Sequence, residues 1–372
     1  FAELYARSPL TGHWSPMSQP RFLILADGDF SPMTSKTANA VIRYRPERVV
    51  GVVDRQHTGK TVQDILGFGG KTPVIPSMAA GLKIGFDVLL IGIAPQGGRL
   101  SEEWRAWILE AIEAGKEVWS GLHTFLSDDP VFAAAAAKKG VKLLDIRKPP
   151  KDLPVSTGKA ADVAPFVILT VGTDCNVGKM TSQLQLVDRL NARGVKTRFV
   201  PTGQTGIMIE GWGIGVDAVV ADFIGGAAEQ LVLEGAKNAD IVLVEGQGSI
   251  NHPGYSGVTL GLLHGSCPDA LLLCHQSSRV HIGDYRPGAK VKIPPLSTYV
   301  RWYEEIGAMV HPTKTIGICL NTYDMDEATA KKACADAERE TGLPATDTVR
   351  FDPDKLVDAI LAARDKYLAA RK

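Results

Sequence analysis

FVILTVGTDCNVGKMTSQLQLVDRLNARG, residues 166–194, decides the fold. FVILTVG (166–172) reads as a buried strand, and TSQLQLVDRLNARG (181–194) reads as a helix ending at Gly194. Between them lies the glycine-bearing loop TDCNVGK. A strand that runs through such a loop into a helix is the setting of a phosphate cradle. There the backbone N–H groups and the helix N-terminus point at the anion. Gly172 and Gly178 let the backbone come close, and Lys179 supplies a positive charge. Thr173, Asp174, Cys175, Asn176 and Val177 complete the loop, and Met180 and Thr181 follow it as further cofactor-binding candidates.

One position departs from the nucleotide-hydrolysing pattern. Those proteins ligate Mg²⁺ with a Ser or Thr directly after the lysine. Met180 stands there and cannot ligate. Thr181 lies about 100° further round the helix. Amides and a lysine still cradle a diphosphate without the metal. The loop therefore favours a ligand held by its diphosphate and not cleaved there, such as coenzyme A, whose thioester lies far from its phosphates. Recruitment of a metal by Asp174 or Glu245 is the alternative.

Outward from this loop the chain alternates strand and helix. RFLILA, RVVGVVD, FDVLLIGIA, KEVWSGL and VKLLDI read as strands before residue 147, with helix-like SKTANAVIRY, EEWRAWILEAIEAG and DDPVFAAAAAKKG among them. After residue 165 the strands are FVILTVG, KTRFVPT, ADIVLVEG, DALLLCH and KTIGICLNT, and two amphipathic helices close the chain. This predicts two doubly wound α/β domains: a Rossmann-like domain over 21–146 and a domain of the P-loop NTPase type over 166–372. The Pro- and Lys-rich stretch 147–165 reads as a linker. ADGDFSPMTSKTA (26–38) lacks the G-x-G-x-x-G of dinucleotide binders, so NAD is not expected.

In open α/β sheets, ligands bind beyond the C-terminal strand ends. PTGQTG, VEGQGSINHP, CHQSSRVH and CLNT all fall at such ends. Glu245 and His252 are the candidate acid–base groups. Pro253 places His252 on a loop, exposed. A carboxylate paired to Lys179 is the plainer reading of Glu245. Gln204, Gln247, Ser249, His275 and Arg279 are candidate substrate contacts, with Arg279 suited to a carboxylate and a surface pair with Asp284 as its alternative. His123, after a strand of the first domain, is a further substrate candidate, and Ser127 and Asp128 fit the N-cap region of the next helix. Asn321 reads an adenine ring or caps a turn. Asp222 and Glu229 are expected to be solvated or capping charges. The spacing of Cys274, His275 and His281 matches no closed zinc pattern, and no metal is expected.

Composition narrows the class. The chain has 372 residues with Lys plus Arg and Asp plus Glu at 41 each, so nothing draws it to nucleic acid or anionic lipid. Five scattered cysteines argue for a reducing compartment over a disulfide framework. No apolar run approaches the ~18 residues of a membrane span. FAELYARSPLTGHW carries charges and prolines and no apolar core, so a secretory signal is not expected, and its first residue, Phe1, implies an initiator removed or missing. A cytoplasmic location is expected, with a small-molecule substrate and a homo-oligomeric assembly.

GTDCNVGK, FVPTGQTG and VEGQGS resemble the loops of dethiobiotin synthetase, an ATP-dependent carboxylase of the P-loop class. From about residue 21 onward the chain more closely resembles a family long labelled as a domain of unknown function, with a Rossmann-like N-terminal and a P-loop C-terminal domain. IGIAPQGGRL, SGLHTFLSDDP, DIRKPP, GTDCNVGKM, TGQTG, DAVVADF, VEGQGSINHP, LLHGSCPDALLLCH and LNT carry the likeness. The GKM of the loop is similar to that of its DgcN-type D-glutamate N-acetyltransferases. The resemblance implies transfer of acetyl from acetyl-CoA to the amine of D-glutamate, feeding a racemase in D-amino acid catabolism. Two readings stay open beside it: an ATP- and Mg²⁺-dependent ligase or kinase like dethiobiotin synthetase, and a nucleotide- or CoA-binding regulator without turnover.

Overall fold

The computed structural model describes residues 20–32, 34–93, 100–283 and 288–371. Ala94–Arg99 of the IGIAPQGGRL motif and Asp284 lie outside them. The chain divides into two compact units: the residues up to Pro150 with Ile207–Ala218, and Lys151–Gly206 with the residues from Val219 onward. Both are α/β domains built on parallel sheets.

The first unit carries β1 (Phe22–Leu25), β2 (Val49–Val53), β3 (Val74–Ile75), β4 (Val88–Ile91), β5 (Glu117–Ser120) and β6 (Leu143–Asp145) in the order β3-β2-β1-β4-β5-β6. Its helices are α1 (Lys36–Tyr44), α2 (Val62–Leu66), α3 (Met78–Ile84), α4 (Glu102–Glu113) and α5 (Pro130–Lys139). β1 and β4 are buried throughout, because a central parallel strand is covered on both faces and must be apolar at every position. The N-cap of α5 is Asp129, which accepts from the amides of Val131 and Phe132, and not Ser127 or Asp128. Those two are taken by Lys148, whose ammonium reaches Ser127 Oγ at 2.9 Å and Asp128 Oδ1 at 2.5 Å. Residues 207–218 belong here through Arg45, which bonds the Ile209 carbonyl and Glu210, and through the ion pair of Arg147 with Asp217.

The second unit carries β7 (Phe166–Gly172), β8 (Thr197–Val200), β9 (Ile241–Val244), β10 (Ala270–Gln276), β11 (Lys314–Asn321) and β12 (Ala345–Thr346) in the order β12-β11-β10-β7-β9-β8. Its helices are α6 (Lys179–Ala192), the start of α7 (Gln204–Glu210), α8 (Ala221–Gly235), α9 (Ser256–Ser266), α10 (Leu296–Gly307), α11 (Glu327–Thr341) and α12 (Asp354–Ala370). β7, central and wholly buried, ends at the glycine loop. Its neighbours β9 and β10 deliver the loops that begin at Glu245 and Ser277.

Close backbone contact sets the second unit's framework. A Cβ on Gly246 would lie 1.6 Å from the Thr170 carbonyl oxygen, so only glycine lets the chain leave β9 past β7. Glu229 on α8 corrects the expectation of a solvated charge in part. It is buried, and it caps the segment before β7 by accepting from the amides of Thr157 and Lys159 and the hydroxyls of Ser156 and Thr157. No helix among the described residues is long and apolar enough to cross a membrane.

Candidate functional site

The site grows from the end of β7. Asn176 and Gly178 take positive φ, 57° and 103°, which folds the loop back to start α6 at Lys179. Such φ values suit Asn and Gly and are costly for other side chains. No side chain caps α6, so its first amides are left to a ligand or water. Lys179 passes close over Gly172: a Cβ there would sit 2.8 Å from Nζ. Its buried ammonium donates to the carbonyls of Asp174 (2.7 Å) and Gly248 (3.0 Å). Burial pushes its pKa down, against the pull of Cys175, Cys274, Asp174 and Glu245. Asn176 is exposed at the tip, Cys175, Gly178, Met180 and Thr181 are half-buried, and Val177 anchors the loop in the core.

Thr173 and Asp174 turn inward. Asp174 has no exposed surface. Its Oδ1 accepts from the Cys175 amide at 2.6 Å, and its Oδ2 accepts from Arg279 Nη1 at 2.8 Å and the Gly283 amide at 2.7 Å. Arg279 also donates to the Cys175 carbonyl at 2.6 Å and to Gln276. Thr173 Oγ1 meets His275 Nδ1 at 2.9 Å. Burial, with Arg279 adding to it, holds His275 down to about pKa 4, so this imidazole is neutral near pH 7.

His252 is buried, not exposed as the following proline suggested. Its ring lies against Tyr255 with centroids 4.5 Å apart. Nδ1 accepts the Gly254 amide at 3.0 Å, which puts the neutral ring's proton on Nε2, 3.8 Å from Asp174 Oδ1. Donor atoms of Asp174, Cys175 and His252 lie within 4.8 Å of one another, a spacing that suits a metal ion. A bound ion would compete there with partners already in place. The Asp174 oxygens already accept two amides and a guanidinium, and Nε2 carries a proton.

Glu245, at the end of β9, is stitched to the loop after β8. Its Oε2 accepts the amides of Thr202 and Gly203, each at 3.0 Å, and Lys179, the alternative partner, feels its charge while bonding carbonyls. Gln247 Nε2 donates to the Thr202 carbonyl at 2.6 Å, and Thr202 Oγ1 donates to the Glu245 carbonyl at 2.7 Å. A Cβ on Gly206 would come 2.8 Å from Glu245 Oε2, so the second glycine of PTGQTG makes room for the carboxylate.

Residues 154–357 match a domain of unknown function described as the DUF1611 P-loop domain, and residues 55–149 match the DUF1611 Rossmann-like domain. A D-glutamate N-acetyltransferase of Tritonibacter scottomollicae is 37% identical over 351 residues, covering 92% of this chain and 98% of the relative. A D-glutamate N-acetyltransferase of a Pseudoalteromonas species is 34% identical over 340 residues, covering 91% and 98%. The chain belongs to the DUF1611 family. A crystal structure of a DUF1611 family protein from Anabaena variabilis has 40% sequence identity and a TM-score of 0.87, covering 92% of this chain and all of that one.

Within this DUF1611 chain the second unit brings most of the candidate residues to one strand edge. Asn321 lies beside the loop, 3.7 Å from where a Cβ on Gly178 would stand, and its Oδ1 accepts the Tyr323 amide at 3.3 Å, capping a turn. Gln204 is half-buried at the start of α7. Ser249 is fully enclosed and donates to Asn251 at 2.8 Å. His123 is exposed, after β5 of the first unit, and is not among the second unit's residues.

Two residues of α10 had not been singled out. The Tyr303 hydroxyl donates to the Gly172 carbonyl at 2.8 Å and accepts the Ile250 amide at 3.0 Å. The Tyr299 hydroxyl shares its proton between the Thr173 carbonyl (3.1 Å) and Asn251 Oδ1 (2.9 Å). Burial pushes the Tyr299 phenol up to about 12 and the Tyr303 phenol higher, which keeps both as donors. Together they tie the glycine loop to residues 249–251. An aromatic pair at i and i+4 of an amphipathic helix reads as core in the sequence, so only the hydroxyl partners reveal it.

Proposed function

We propose that the chain is an N-acetyltransferase that moves acetyl from acetyl-CoA to the amine of D-glutamate or a similar acidic amino acid. One observation carries the choice of cofactor. The glycine loop leads into an uncapped helix start beside a buried lysine, with Met180 where a Mg²⁺-ligating hydroxyl belongs. Such a loop holds linked phosphoryl groups and leaves them intact. The names of the Tritonibacter and Pseudoalteromonas relatives support acetyl as the group moved and D-glutamate as its acceptor.

The loop 172–181 binds the coenzyme's diphosphate, with Lys179 exchanging its carbonyl partners for phosphoryl oxygens. His252, with Nδ1 occupied by Gly254, presents Nε2–H and acts as a donor to the bound anion, not as a base. Glu245 is the base that takes the amine proton as nitrogen attacks the thioester carbonyl. The Gly248 amide is the donor for the oxyanion; the Gly246 amide is already given to Thr170 Oγ1 at 3.1 Å. This assignment requires the pantetheine arm to turn back across the strand ends toward β9. Gln204 and Gln247, beside Glu245, then meet the acceptor. The thiolate leaves with a proton as coenzyme A, and the acceptor leaves as its N-acetyl amide.

The test is purified protein with acetyl-CoA and a panel of D- and L-amino acids, followed by free thiol. Thiol release with D-glutamate is expected. Release with no amine, or phosphate release from ATP under the same conditions, would overturn the reading.

A further inference from the structure

The sequence offers Arg279 as a clamp for the acceptor's carboxylate, and the geometry points elsewhere. We infer that Arg279 is a positioning residue whose task is to neutralise Asp174, so that a glycine loop containing a carboxylate can still hold a phosphoryl anion. This rests on the proposed function only in placing phosphoryl groups in the loop.

Asp174 poses an electrostatic problem for the cradle. Its side chain is fully buried inside the loop that also presents Lys179 and the first amides of α6. An unpartnered carboxylate there would repel the anion that the amides attract. The fold answers with a guanidinium. Arg279 comes from the loop after β10, its side chain is 7% exposed, and Nη1 reaches Asp174 Oδ2 at 2.8 Å. The Gly283 amide shares the same oxygen at 2.7 Å, and the Cys175 amide takes the other. Further guanidinium contacts, to the Cys175 carbonyl and Gln276, fix its plane against the loop backbone.

The pair therefore carries no net charge toward the ligand. The pull on an anion comes from Lys179, the helix start and Nε2–H of His252. A guanidinium so enclosed and so bonded is committed to the loop, so the acceptor's acidic groups are met by other residues.

Charge arithmetic gives a test that packing alone would fail. Inorganic pyrophosphate is titrated calorimetrically into the full chain and into three variants, at two salt concentrations. Arg279→Gln leaves a bare carboxylate in the cradle and should weaken pyrophosphate on the order of ten-fold. Asp174→Asn leaves an uncompensated guanidinium and should tighten it several-fold, with a steeper loss on adding salt. The double variant should return close to the parent, because both charges are gone. If Asp174→Asn weakens binding as Arg279→Gln does, or the double variant is worse than either, the pair acts only in packing and the inference falls. Should Arg279→Gln fail to fold, the sign of the Asp174→Asn change decides by itself. Pyrophosphate that behaves as expected in a protein that never transfers acetyl would keep this inference and sink the proposed reaction.

Discussion

The loops after β1 and β7 make an instructive pair. Each leaves the central strand of a six-stranded parallel sheet and leads into a helix. The first is held by the residues that follow β2 and by its own helix. The Gly28 amide donates to Asp54 Oδ1 at 2.9 Å, Arg55 forks onto Asp27, and Ser31, Ser35 and Asn39 bond one another. The second takes its partners from the loop after β10 and from α10, and neither helix start carries a side-chain cap. Parallel topology supplies the position for a ligand in both. What the second adds is the buried ammonium of Lys179, where Lys36 at the start of α1 is exposed.

The two loops also use the same ion pair differently. Arg55 lies half in solvent beside Asp27, whereas Arg279 and Asp174 are enclosed. Solvent reaches the Arg55 guanidinium though not Asp27, so losing that arginine should cost less. The second pair cannot lose one partner cheaply, because the other would be left buried and unpaired.

The largest expected effect breaks the comparison at its centre. Lys179→Ala should raise the Kd for pyrophosphate and for acetyl-CoA by about a hundred-fold or more, as a desolvated charge contact is lost. Asp54→Asn, which alters the acceptor of the first loop's Gly28 amide, should leave both constants unchanged, whatever it does to stability. Equal losses in the two variants, measured by calorimetry, would erase the distinction between the loops.

Next in size is the close approach behind the second loop. Gly246→Ala places a methyl where the Thr170 carbonyl already stands, so one strand must shift. A destabilisation of about 3 kcal/mol or more is expected, read from urea unfolding. Gly28→Ala in the first loop meets only the Gln56 amide nitrogen at 4.0 Å, though its φ of 83° still adds strain. It should cost about 1 kcal/mol.

Smaller again is Tyr303→Phe. It removes the donor to the Gly172 carbonyl and strands the Ile250 amide, for about 1–3 kcal/mol. A looser cradle should raise KM for acetyl-CoA more than it lowers kcat. A stability loss without that split would make the tyrosine a core residue only.

The sequence made the long buried strands plain, because β7, β9, β10 and β11 are near-continuous apolar runs, with Thr170 inside β7 and the other polar residues near the strand ends. β3 and β12 have two residues each and no period to detect. α9 was hidden by its glycines. Gly261 and Gly265 are needed because α8 passes so close that a Cβ on Gly265 would lie 2.6 Å from Gly225 Cα. The loop residues of the site were legible from strand–loop–helix order. Their partners were not: Arg279 stands 105 residues from Asp174, and only the fold shows which carboxylate it serves. His252 was misplaced because a following proline marks a loop but says nothing of what packs over it.

The smallest effect concerns the segment that enters the second unit. Glu229 holds residues 156–159 through backbone amides and hydroxyls. Burial alone would raise its pKa, but the hydrogen bonds from Thr157, Lys159 and Ser156 outweigh it and bring the folded value below the usual 4.5. A carboxylate depressed in the folded state contributes stability that is complete above its unfolded pKa and is lost as pH falls through the folded one. The contribution should therefore be whole near neutral pH and fade below about pH 4.5. Glu229→Gln removes the titration and keeps an acceptor oxygen. Urea midpoints for the parent and this variant should differ near neutrality and converge in acid. The first unit has a matching clamp in Asp145, which accepts the amides of Leu126 and Ser127 within its own sheet edge. If the gap between parent and Glu229→Gln stays constant down to acid pH, the carboxylate's charge is not what holds the segment, and shape alone distinguishes the two clamps.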